Sequence, residues 1–177
     1  MAIFISERLS FRLPKLADAN FLIQGLGDYD VASNLLVPHP YKIEMAHDWL
    51  NKNWQMNTPA NSYYIVELND KTAIGGFGFN QNDGNAVLSY WLIKKYWKQG
   101  YAKEAARAII ENYFNITNSK EIFAGAFHFN LASLAIQENL GFTQIGHSMR
   151  FCPARNENVK NIETKLTREA FLAAIRK

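Results

Sequence analysis

The chain has 177 residues, enough for one domain with a sizeable core; 48% of them are hydrophobic and 20% charged, a balance that excludes a disordered chain. Its 19 basic residues are offset by 16 acidic ones for a formal charge of +3, which argues against a nucleic-acid partner and leaves room for one local polyanion site. No run reaches the ~20 apolar residues of a membrane span, so no membrane partner is expected.

The amino terminus, MAIFISERLSF, meets Glu7 and Arg8 too early to hold the apolar region of a signal peptide. A single cysteine, Cys152, forms no internal disulfide, in keeping with a reducing compartment, and a cytoplasmic location is expected. Residues 7–13 (ERLSFRL) alternate as a half-buried strand, with Leu9, Phe11 and Leu13 inward and Arg8, Ser10 and Arg12 outward. Pro14 ends it, and Asp18 is expected to cap a helix through Phe21, Leu22 and Leu26. A second helical piece is expected over residues 28–36. Val37-Pro38-His39-Pro40 then forces an extended turn, and residues 43–54 read as helical again. Residues 63–68, 72–80 and 86–93 read as an antiparallel meander. Gly75, Gly76 and Gly78 lie inside its second strand, where another backbone or a ligand comes close; packing is the favoured cause.

The most informative stretch is residues 89–115, SYWLIKKYWKQGYAKEAARAIIENYFN. It opens as a strand, passes through a basic turn containing Gly100, and becomes a helix whose stripe of Ala102, Ala105, Ala106, Ile109, Ile110 and Tyr113 has helical spacing. The unpaired N–H groups of Gln99, Gly100, Tyr101, Ala102 and Lys103, with roughly half a positive charge from the helix dipole, form a ready anion site. Lys94, Lys95 and Lys98 add positive potential. An ordinary solvated lysine cluster at a strand-to-helix turn is the alternative reading of the same residues.

The strand over residues 121–127 follows, so that strand, helix and strand make a βαβ unit with parallel strands. Asn130 is expected to cap a helix through Leu140, which Gly141 stops. Residues 142–152 and 161–166 read as two strands joined by an irregular loop, and residues 168–175 as a closing helix. Neither a repeat nor a linker interrupts residues 1–177, so one domain is expected.

This order of elements, the Trp97-Lys98-Gln99-Gly100-Tyr101-Ala102 loop and the later Asn130-Leu131-Ala132-Ser133 and Glu138-Asn139-Leu140-Gly141-Phe142 block resemble the GCN5-related N-acetyltransferase (GNAT) superfamily. The resemblance is to its ribosomal-protein N-terminal acetyltransferase-like branch. It implies an α/β (α+β) fold with a mixed, mostly antiparallel sheet, whose central parallel strand pair splays to hold CoA between flanking helices. It implies acetyl-CoA as cosubstrate, its pyrophosphate on the N–H groups of Lys98, Gln99, Gly100, Tyr101, Ala102 and Lys103. Trp91, Leu92, Asn130 and Ser133 are the further cofactor contacts it implies, with a backbone N–H near Leu92 polarising the thioester carbonyl.

Direct transfer to an amine needs a neutral nucleophile, a polarised thioester and a proton for the departing thiolate. Many relatives supply that proton from a tyrosine four residues before the Gly-Phe pair, where this chain has Gln137; Ser133 is the replacement candidate. His128 is the candidate base because an unperturbed imidazole titrates near ~6.5; His39 and His47 are weaker candidates, and the base stays unassigned. An α-amine near ~8 is about a tenth neutral at pH 7, whereas a lysine near ~10.4 is neutral less than about one time in a thousand. The expected acceptor is therefore a primary amine, a peptide N-terminus or a small molecule. The alternative is a CoA-binding relative without catalysis. Cys152 reads as packing. Trp54 and Tyr41 are surface aromatics that leave either a monomer or a homodimer open.

Overall fold

The computed structural model describes residues 3–53 and 58–176. Two short strands, β1 (Phe4–Ile5) and β2 (Leu9–Arg12), lead into the helices α1 (Ala19–Leu26), α2 (Tyr29–Ala32) and α3 (Ile43–Asn53). The meander follows as β3 (Ser62–Leu68), β4 (Ala73–Asn82) and β5 (Asn85–Leu92). Next come α4 (Tyr101–Ile116), β6 (Glu121–Phe127), α5 (Leu131–Asn139), β7 (Thr143–Cys152), β8 (Glu157–Thr167) and α6 (Arg168–Ile175). The strands form one sheet in the order β1-β2-β3-β4-β5-β6-β8-β7. Every neighbouring pair is antiparallel except β5 and β6, which run parallel as the intervening α4 requires. The mixed sheet expected from the sequence is therefore present, with helices against both of its faces.

Each face has its own apolar cluster. Phe77, Phe79, Leu88 and Leu92 of the sheet pack with the α4 stripe, Ala105, Ala106, Ile109, Ile110, Tyr113 and Phe114, and with Phe171 of α6. Ile65 and Trp91 point the other way, into Leu22 and Leu26 of α1 and Ala46 and Leu50 of α3. Burying each large apolar side chain contributes roughly 1.5–3 kcal/mol relative to leaving it exposed. Small residues let these layers approach. A Cβ on Gly25 would stand 2.0 Å from the Trp91 ring, and one on Gly75 would stand 2.3 Å from the Trp91 carbonyl oxygen. The glycines of β4 thus serve packing, as expected.

Several local expectations are corrected. The strand β2 is shorter than residues 7–13, and Leu13 lies beyond its last ladder pair, Arg12 with Ile65, and is exposed. Ser10, expected outward, is buried. Asp18 does not cap α1; its carboxylate takes the backbone N–H of Lys15 at 2.8 Å and two hydrogen bonds from the Arg12 guanidinium at 2.7 and 2.8 Å. Tyr41 is not a surface aromatic but is buried in the α1/α3 cluster. Trp54 lies outside the described residues. The loop expected between the last strands is a short turn, because residues 157–160 continue β8 by pairing with the end of β7, as in Cys152 with Glu157 and Arg150 with Val159. The two-residue β1, which pairs with β2, is too short to carry a periodic signal.

Candidate active site

The parallel pair β5–β6 is held at only two register positions, Val87 with Phe123 and Leu88 with Ala124. Beyond them β5 stays on β4 and β6 stays on β8, so the two strands separate. The Ile93 N–H donates to Ile74 O, and antiparallel alternation then turns the Trp91 and Ser89 N–H groups toward β4 and those of Tyr90 and Leu92 into the gap. A cleft of about 1010 Å³ occupies this gap and reaches the start of α4. Leu92, Lys98, Gly100, Tyr101, Ala102 and Lys103 line it, with Trp91, Asn130 and Ser133. Most of the expected contact residues are thus gathered around one opening. Trp91 enters with a qualification: its N–H is turned to β4 and its ring packs on Phe21, centroid to centroid 5.4 Å.

At the mouth, a 3-10 turn (Lys94–Tyr96) leads to Gly100, which sits at φ +81° as the residue before α4. No side chain caps the helix there, so the N–H groups of its first turn stay available. The Trp97 ring N–H donates to Leu92 O at 2.9 Å and ties the turn to the strand end. Gln99 bonds back to Lys95 O at 2.8 Å. Lys94 is paired with Asp30 and does not line the cleft, so its charge is spent elsewhere. Arg8 comes closer to Gly100, although it too is paired, with Glu104. Its guanidinium donates to Gln99 O at 3.2 Å and lies 4.5 Å from the Tyr101 ring centroid, a neighbour across 91 residues that no local pattern reveals.

Deeper in, Tyr90 Oη lies 2.7 Å from Ser133 Oγ. Ser133 Oγ accepts from Gln137 Nε2 at 3.2 Å, and Gln137 Oε1 accepts from Thr164 Oγ1 at 2.7 Å. Asn130 caps α5 as expected, its Oδ1 taking the Ser133 N–H at 3.2 Å. The Tyr90 ring stacks on Phe77 with centroids 5.1 Å apart, and burial raises the phenol above its ordinary range against the hydrogen bonds with Ser133 and Gln137. Tyr90 was missed by the sequence reading, although strand alternation places it on the face of Leu88 and Leu92.

The second face of the cleft is polar. Glu163 pairs in register with Gly125, so a carboxylate stands beside a position with no side chain. Arg150 approaches that carboxylate only to 4.0 Å. The Asn161 side chain is buried (8% exposed), lines the cleft, and has no hydrogen-bond partner among the described residues. These residues gave no sequence signal. His128, the candidate base, is not brought to the cleft. It is exposed, meets Phe129 edge-on at 5.3 Å, and lines a separate depression with Met149 and Arg155, because its place just past β6 carries it beyond the gap.

Residues 8–143 match the family model described as an acetyltransferase (GNAT) domain. The chain is similar to the "Uncharacterized N-acetyltransferase p20" of Bacillus licheniformis, with 28% identity over 151 residues, 82% of this chain and 85% of that protein. Among solved structures, the spermidine N-acetyltransferase of Vibrio cholerae in complex with CoA and spermine has a TM-score of 0.80 at 18% identity, covering 94% of this chain and 99% of that one. The ribosomal-protein-S5-alanine acetyltransferase of Vibrio fischeri has a TM-score of 0.78 at 19% identity, covering 94% and 96%. At those identities the two structures speak for the fold.

Proposed function

The chain belongs to the GNAT acetyltransferase family, and from that premise we propose that it works as a single domain that transfers acetyl from acetyl-CoA directly to a primary amine, a peptide N-terminus or a small-molecule amine. The observation that carries this is the gap between β5 and β6, which runs from the uncapped start of α4 at Gly100 to the Tyr90–Ser133 pair. The pyrophosphate is assigned to the N–H groups from Lys98 to Lys103, where Gly100 leaves the backbone open. The thioester arm is assigned to the gap, with the Leu92 N–H at its carbonyl; preorganised donors of this kind stabilise charge that develops in the transition state.

The acceptor amine is assigned to the polar face, where the Glu163 carboxylate attracts an ammonium and the Asn161 amide offers both a donor and an acceptor. Glu163 is also the carboxylate best situated to take the nitrogen's proton, a task His128 is too far removed to perform. Purified protein given acetyl-CoA and a panel of peptides and small amines should release free thiol in step with acetylated product. CoA binding without thiol release across the panel would instead mark a binding protein, and faster acetylation of lysine side chains than of peptide N-termini would reverse the acceptor preference.

A further inference from the structure

We propose that Tyr90 is the proton donor to the departing CoA thiolate and that Ser133 positions it. This rests on the acetyl-transfer reading above. Gln137 is fixed end-on by Thr164, which donates to its Oε1 at 2.7 Å and leaves Nε2 to donate to Ser133 Oγ at 3.2 Å. Ser133 Oγ therefore has one N–H already on it. Either hydroxyl can donate across the 2.7 Å between Ser133 Oγ and Tyr90 Oη; with the serine donating, the phenolic hydrogen has, among the described residues, only the Ser133 carbonyl oxygen, a long 3.5 Å away, as a protein acceptor and can turn into the cleft that both residues line.

The opposite polarity, Tyr90 donating to Ser133, would make the serine hydroxyl the acid. Acidity decides between them. A thiol of ordinary pKa ~8.5 and a phenol near ~10 are close enough for efficient proton transfer, whereas an aliphatic hydroxyl stays protonated at any pH a protein tolerates. Burial raises the Tyr90 phenol, which keeps it protonated through the neutral range. Its location agrees. Tyr90 lies two residues past the last parallel pair, Leu88 with Ala124, where the gap has opened, and stacking on Phe77 holds its ring.

The amine nitrogen attacks the thioester carbonyl carbon to form the C–N bond. The C–S bond breaks with its electron pair on sulfur, which takes the Tyr90 proton to become the CoA thiol. The extra proton on nitrogen passes to the Glu163 carboxylate and from there to solvent, and water returns a proton to the tyrosinate, so the sum is amine plus thioester giving amide plus thiol.

The test is the pH profile of kcat, followed by thiol release, for wild type, Tyr90→Phe, Ser133→Ala and a protein with a ring-fluorinated tyrosine installed at position 90 alone. Calorimetric CoA binding serves as the folding control. Tyr90→Phe keeps the stacked ring, so KM for acetyl-CoA should stay within about threefold while kcat falls about 100-fold and the alkaline limb disappears. The fluorinated ring, a stronger acid, should move that limb to lower pH. Ser133→Ala should lose about tenfold and keep the limb. The proposal is overturned if Tyr90→Phe retains kcat within about threefold, if fluorination leaves the limb in place, or if only Ser133→Ala removes it. Wild type that binds CoA but releases no thiol with any amine overturns it together with the acetyl-transfer reading, whereas a Tyr90→Phe result alone leaves that reading standing.

Discussion

Arg8, just before β2, and Glu104, in the first turn of α4, meet across 96 residues with Nε 2.6 Å from Oε2. The same carboxylate accepts the Arg8 N–H at 2.7 Å and the Ser6 hydroxyl at 2.8 Å. Through this pair the edge of the sheet is fastened to the helix start that bears the anion site, and Arg8 reaches on to Gln99 O. Burial by itself would raise the Glu104 carboxyl, but the bonds from the Arg8 N–H, Ser6 and the Arg8 guanidinium outweigh it and hold the group below its ordinary value of 4.5. A carboxyl depressed in the folded state stabilises above its unfolded pKa and loses that contribution as pH falls through the folded value. Glu104→Gln should therefore lower Tm at pH 7, and the gap from wild type should close as pH drops below about 4. Thermal melts across that range check it; a gap independent of pH would mean the charge contributes nothing.

Gly100 gives the most direct test of the anion site. Its φ of +81° is strained for any side chain and most of all for a β-branched one, while the space around it is open apart from Arg8. Gly100→Val should either pull the loop out of its left-handed turn or hold a Cβ over the donors, at about 1–2 kcal/mol. A loss of tenfold or more in CoA affinity follows, with the bulk of the fold intact. Calorimetric titration that finds unchanged affinity would remove the pyrophosphate from this loop.

How far the sequence reached depended on whether the signal was local. The α4 stripe, the strand Glu121–Phe127 and α6 were legible because each carries its own periodicity, and the parallel pairing followed from a helix between two strands. The loop at Gly100 and the Asn130 cap were legible because both are single-turn motifs. What stayed hidden was tertiary. Tyr90 and Ser133 are 43 residues apart, Arg8 and Gln99 are 91 apart, and Glu163 enters the cleft only because β8 inserts between β6 and β7. His128 misled for the same reason: its chemistry was right for a base, but the gap opens before its place in the chain.

Arg12 is held between two carboxylates, Asp18 through paired bonds and Glu67 at 2.5 Å, with all three side chains largely buried. Burial lowers the guanidinium pKa, and the two partners more than restore it. Arg12→Met would strand both acids and should cost about 3–5 kcal/mol. Denaturant melts of wild type and variant measure it, and a loss below about 1 kcal/mol would show the cluster to be solvated.

Gly75 is a position where sterics alone make the prediction. An added Cβ meets the Trp91 carbonyl oxygen at 2.3 Å and the Leu92 Cα at 3.0 Å, and backbone atoms cannot swing aside. Gly75→Ala should cost about 3 kcal/mol, or roughly 6–12 °C in Tm, and should disturb β5 where it borders the cleft. A melt within about 2 °C of wild type would show that β4 and β5 separate easily.

Asn161 carries the prediction about the acceptor. The Asn161 amide has no side-chain hydrogen-bond partner among the described residues but keeps solvent access, so water or a ligand completes it, and it faces the cleft beside Glu163 rather than beside the α4 loop. If it hydrogen-bonds the acceptor, Asn161→Leu loses one such bond. The loss should raise KM for the amine about tenfold, a bond's worth of about 1–1.5 kcal/mol, while CoA affinity stays within about twofold. Glu163→Gln should act on the same substrate by a different route. Removing the carboxylate weakens attraction for the ammonium form and, if it also takes the proton, lowers kcat. A carboxylate base predicts a loss that is largest at low pH, where the amine is most fully protonated. Steady-state kinetics with the amine varied at saturating acetyl-CoA separates the two variants. Should Asn161→Leu weaken CoA and leave the amine untouched, the polar face would belong to the donor, and the acceptor would have to enter from another side of the gap.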